Sequence, residues 1–180
     1  ILAKARHAYQ GLNVEFRTEV PDDYLLYAQV DITGFDPNGL GLMGYDNSPG
    51  KDVGNLRLYD RMGGVNALTQ QDGYPGFGGV FVESFLAFSK HPPAGIVSIG
   101  GASERFDAIF DPLRPDLGTP ATADEVDSLL PLASGAACPS ASGARLEVIG
   151  CAVWVLGNLL GGTLAHQFAH SLGLADPGGT

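Results

Sequence analysis

Three side chains near the end of this 180-residue sequence suit metal binding, His166, His170 and Asp176, while Gln167, beside the first histidine, carries an amide that cannot take a proton. The two histidines are four apart, and Gly173 stands midway between His170 and Asp176. On a helix, residues i and i+4 share a face one turn apart, so the imidazoles aim at one point. That is how two nitrogens come within about 2.0–2.1 Å of one Zn²⁺. A glycine can adopt the left-handed conformation that ends a helix and turns the chain back. Gly173 therefore lets Asp176 approach from the other side as third ligand, leaving a fourth position for water. Such a zinc ion acidifies water and polarises carbonyls, the chemistry of metal-assisted hydrolysis. Two histidines alone are more often a core or surface pair. The joint pattern with a turn glycine and an acidic residue makes zinc the preferred reading.

These groups need elements to hold them. Residues 146–172 are apolar nearly throughout and too long for a strand, which predicts a buried helix. Gly157, Gly161 and Gly162 leave its start open. Ile1, Leu2, Ala5, Ala8, Tyr9 and Leu12 recur at helical spacing, with Gly11 and Asn13 to end that helix. Residues 13–20 alternate, with Val14, Phe16 and Val20 against Glu15, Arg17 and Glu19, and predict a half-buried strand. Residues 24–32 suit a central strand, residues 78–85 another, and residues 94–101 a short one. Residues 106–120 read as a loop with a brief helical turn. Thr122 and Glu125 have capping-box spacing at the start of a further helix. Residues 34–78 dissolve into Gly, Asp, Asn and Pro, and a stretch this long is normally functional or held by something. The fold class expected is α+β in a single domain, residues 1–180.

"AHQFAHSLGLAD" resembles the metzincin zinc-peptidase signature, His-Glu-x-x-His-x-x-Gly-x-x-His/Asp, in its Asp-ended form. The resemblance implies a twisted mixed sheet, a backing helix and a buried active-site helix. It implies zinc ligation by His166, His170 and Asp176, and zinc-dependent endopeptidase activity on protein or peptide substrates. It makes "GGVFVESF" the substrate-facing edge strand, so that Gly79, Val80, Phe81 and Val82 would hold an extended peptide by β-augmentation. Two departures stand out. The family's glutamate accepts a proton from the attacking water, a role worth about 10²–10⁴ in rate, and here it is Gln167. Glutamine keeps the shape without a useful pKa, so the chain is expected to bind zinc and hydrolyse negligibly. A deliberate inactivating exchange is preferred over a natural pseudoenzyme; a non-catalytic zinc-binding or protein-binding module is the rival reading. The family's methionine-containing turn after the third ligand has no counterpart within these 180 residues, where Met43 and Met62 come far earlier, so that segment is either cleaved from a longer chain or lacking.

Composition narrows the partners. A net charge of −10 opposes nucleic acid, whose phosphates demand a basic face. No signal peptide or membrane span is read, the longest apolar run being the glycine-interrupted residues 148–160. The expected protein is a monomer, exported or extracellular, from a longer precursor. Cys138 and Cys151 are the two cysteines, separated by a loop-like stretch, and a disulfide is preferred over two buried thiols. Asp31, Asp36, Asn38, Asp46, Asn47, Asp52 and Asp60 offer oxygen ligands for Ca²⁺, with turn formation the equal alternative. Asp107, Asp111 and Asp116 form a second such group. His7 and His91 read as lone histidines, Glu83 as solvated, and Ser171 as a helix-end hydrogen bonder.

Overall fold

The computed structural model describes residues 1–23, 27–47, 59–62, 64–65, 76–129, 138 and 143–174; within 59–65 only the Met62 side chain is described. The chain divides into two compact units, Ile1–Phe85 with Leu160–Thr180, and Leu86–Leu159. The fold is mixed α+β.

In the first unit, helix α1 (Leu2–Ala8) buries Ala5 completely, as the helical spacing predicts. Strand β1 (Tyr27–Val30) runs parallel to β4 (Tyr59–Met62). Strands β2 (Ile32–Thr33), β6 (Phe77–Phe81) and β3 (Gly44–Tyr45) lie side by side in that order, β6 parallel to β2 and antiparallel to β3. Strand β5 (Gly64–Val65) pairs antiparallel with the start of β6. Asp31 ties the two ladders together: its N–H donates to the Met62 carbonyl and its carbonyl accepts from Val80 N–H, both at 2.9 Å.

Helix α4 (Arg145–Ser171) contributes its C-terminal part to this unit. It can approach its neighbours closely because small residues face them. A Cβ on Gly161 would lie 2.6 Å from the Ile1 carbonyl oxygen and 2.7 Å from Lys4 Cβ, so α1 rests directly on that glycine. A Cβ on Gly44 would lie 2.8 Å from Thr163 Cγ2 and 2.9 Å from Gln167 Nε2, so β3 lies as closely on the next face. Tyr9 completes the contact with α1. Its hydroxyl donates to the Ala165 carbonyl at 2.9 Å, and its ring meets Phe16 edge-on, which meets Phe168 edge-on. Such aromatic pairs add about 0.5–1.5 kcal/mol each beyond the area they bury.

In the second unit, Ser103 caps helix α2 (Glu104–Phe110) by accepting from Phe106 N–H, and a 3₁₀ turn, Asp111–Leu113, continues it. Helix α3 (Ala123–Asp127) carries the complete Thr122–Glu125 capping box. Arg145 Nε and Nη2 clasp both Glu125 oxygens, and the guanidinium also donates to the Thr119 and Pro120 carbonyls. Ile109, Cys151 and Ala152 form a buried cluster, with Cys138 bridged to Cys151 by a disulfide.

Several expectations are corrected. Residues 13–20 are not a strand. Phe16 is buried but Val20 is 68% exposed, and among the described residues no strand pairs with this segment. Its Phe16 carbonyl is taken by Arg6, and Arg17 binds Glu15 and Asp23, which favours bends over a ladder. Residues 94–95 and 100–101 form turns and residues 96–99 are irregular, with Val97 83% exposed, so their apolar character buries little. Residues 82–85 belong to a 3₁₀ segment, Val82–Phe88, rather than to the strand before it. Residues 104–113 are more helical than expected. The helix expected over residues 146–172 is present as α4, and it is longer than the apolar run of residues 148–160 against which a membrane span was judged. At 27 residues, roughly 40 Å at 1.5 Å per residue, α4 is long and apolar enough to cross a membrane by length and composition. Half of its most apolar window is buried inside the protein.

Candidate metal centre

The α4 backbone puts His166 and His170 on one face, and their Nε2 atoms meet at 2.9 Å with the rings 84° apart. The contact is a hydrogen bond in which one imidazole N–H donates to the other ring. It also fits a shared ion: two nitrogens bound tetrahedrally to zinc at about 2.0–2.1 Å stand about 3.3 Å apart, a separation reached by a few tenths of an ångström of ring movement. His170 is buried and His166 exposed, facing a shallow pocket of about 300 Å³ walled by Ala8, Tyr9, Leu12, Ala169 and Leu174. Partial desolvation of the ring against the helix pushes the His166 pKa down, and the neighbouring His170 adds to this. Both effects favour the neutral ring that metal ligation requires. A larger groove, about 690 Å³, is lined on α4 by Leu164, Phe168 and Leu172 and includes neither histidine.

The helix end is as the sequence predicts. Gly173 has φ +69°, Gly173 N–H donates to the His170 carbonyl and Leu174 N–H to the Ala169 carbonyl, the paired bonds of a Schellman motif. The chain therefore turns immediately beyond the second histidine. Asp176 lies outside the described residues.

Gln167 is 6% exposed and packs under β3, its amide beside Gly44. At 100° per residue it stands a quarter-turn or so from His166, in the interface between α4 and the sheet. The edge-strand expectation is corrected. Gly79, Val80 and Phe81 lie in β6, and Val80 is paired with Ile32 on one side and Gly44 on the other. Val82 begins the following 3₁₀ segment. A strand flanked on both sides has no open backbone there for an added peptide. The composition of residues 78–81 fits a central strand and an edge strand equally, so only the pairing separates them.

The oxygen-rich loop is organised by its own amides. Asp36 Oδ1 accepts from the Asn38 backbone and side-chain N–H at 2.9 and 2.8 Å, and Oδ2 from Leu40 and Leu42 N–H at 3.1 and 3.0 Å. Asn38 in turn accepts from Phe77 N–H and donates to Phe77 O, docking the loop on β6, and Asn47 donates to the Gly76 carbonyl. Asp31 accepts from the Gln29 side chain. Asp52 and the Asp60 side chain lie outside the described residues. In the other unit, the structure brings His91 between Asp107 and Asp111, while Asp116 is drawn to Arg114. His91 was not legible as part of a group because residues 104–111 did not read as a helix, which is what places Asp107 and Asp111 one turn apart. Compared with protein-family models, curated proteins and solved structures, the chain finds no match.

Proposed function

We propose that this chain is the scaffold of an exported zinc endopeptidase of metzincin type, in a form that lacks its general base. The observation that carries this reading is the convergence of the His166 and His170 Nε2 atoms on one face of α4, immediately before the turn at Gly173. Zinc held there would supply a Lewis acid for peptide hydrolysis. His166 and His170 would provide two neutral nitrogens, and Asp176 the third ligand after the turn. Gln167 occupies the base position but cannot accept a proton, so peptide or protein substrates would bind and turn over negligibly.

A second reading, a non-catalytic zinc-binding module, is favoured by the seat of Gln167 against Gly44, where the amide serves as packing. Both readings require zinc on α4. Elemental analysis after dialysis against trace zinc is expected to show one equivalent fewer in His166→Ala and in His170→Ala than in the unaltered chain. Unchanged zinc content in both folded variants overturns both readings.

A further inference from the structure

The second unit holds another set of ligand-bearing side chains. One ligand atom from each of His91, Asp107 and Asp111 lies within 4.8 Å of the other two. His91 Nε2 is 2.7 Å from Asp111 Oδ2, and its Nδ1 is 3.5 Å from Asp107 Oδ2. Asp107 and Asp111 are one helical turn apart, where two like charges destabilise a helix unless a cation stands between them.

The charges around them do not balance. The Asp107 side chain is only 7% exposed, a costly position for a carboxylate without compensation. Its neighbour Lys90 gives it a backbone N–H at 3.2–3.3 Å but turns its ammonium toward Glu104, 3.4 Å away. Arg114 is shared between Asp111 and Asp116. Three carboxylates against one guanidinium leave two negative charges, to which His91 answers only when protonated. Arg114 also donates to the His91 carbonyl at 2.9 Å, so one buried guanidinium orients the loop that carries the histidine and a carboxylate facing it. Partners of this kind position ligands at metal sites.

We propose that His91, Asp107 and Asp111 form a binding site for a divalent transition metal, independent of the α4 pair. An imidazole nitrogen with two carboxylates suits Zn²⁺, Co²⁺ or Mn²⁺ better than Ca²⁺, whose ligands are oxygens. His91 is 55% exposed, so water can reach the site.

The test is a cobalt titration, followed by equilibrium dialysis and the visible spectrum of the bound ion, on the whole chain carrying His166→Ala and His170→Ala. One equivalent of Co²⁺ is expected to bind, and adding His91→Ala is expected to abolish it. No bound cobalt, or binding unchanged by His91→Ala, overturns the proposal. If circular dichroism shows that the double variant is unfolded, His91→Ala in the otherwise unaltered chain must lose one equivalent, and retention of full stoichiometry overturns it. Failure of the α4 reading shows separately, as equal cobalt content with and without the α4 histidines.

Discussion

At the scale of single residues, Gln167 separates the two readings of the α4 site. A carboxylate at this position can take a proton that the amide cannot. In zinc-loaded protein, Gln167→Glu is therefore expected to raise cleavage of a broad peptide library by at least about 10²-fold, the low end for a positioned general base, with a chelator abolishing the gain. A folded, zinc-loaded variant with no cleavage would favour the binding module. Asp36 illustrates a different use of a carboxylate. Burial alone would raise its pKa, but N–H donors from Leu42, Asn38 and Leu40 outweigh that and hold the group below its ordinary value. Asp36→Asn replaces an oxygen that accepts two N–H groups with a donor, and is expected to cost about 1–3 kcal/mol in urea unfolding at neutral pH. An unchanged midpoint and slope would show that the loop does not depend on these bonds.

At the scale of elements, α3 and the start of α4 are held by one cluster. The Arg145 guanidinium, then the Thr122 N–H, lower the Glu125 pKa from 4.5 to about 2. Because the folded value lies below the unfolded one, the stabilisation is complete above the ordinary carboxylate range and is lost as pH falls through about 2. Denaturation midpoints measured from pH 7 downward should thus decline across this window in the unaltered chain. Glu125→Gln should lower stability at pH 7 and flatten the decline; parallel curves for the two proteins would refute the linkage. The same cluster shows why a five-residue helix persists. Isolated helices this short are marginal in water, so α3 depends on its capping box and the Arg145 clasp.

At the scale of the whole molecule, the covalent link and the glycine-mediated contacts act in different units. The Cys138–Cys151 bridge closes a short loop beside the Ile109 cluster in the second unit. Titration of the unfolded, unreduced protein should find no free thiol. Reduction should lower stability by roughly 3 kcal/mol by the chain-entropy account of a loop this size. Two titratable thiols in the untreated protein would remove the bridge and with it one support for an exported protein. In the first unit, Gly161 and Gly44 do comparable work without a covalent bond, by admitting α1 and β3 against α4.

Local patterns determined much on their own. The apolar run from 146 to 172 became α4 within a residue at each end, the Thr122–Glu125 spacing became a capping box, and Gly173 took the left-handed turn. Each depends on near neighbours along the chain: i,i+4 geometry, a cap three residues away, and the φ range open to glycine. The spacing of His166 and His170 was legible for the same reason, since a helix alone brings i and i+4 together. Tertiary structure decided what depends on distant partners. Residues 13–20 alternate like a strand, yet a strand needs another to pair with, and Arg6 and Arg17 took the available partners instead. Strand β6 became central because β2 and β3 pair on either side of it. Gln167 faces the sheet because Gly44, 123 residues earlier in the sequence, leaves room for it. His91 met Asp107 and Asp111 only once α2 and Arg114 set both sides of the cluster, a juxtaposition that neither periodicity nor spacing encodes.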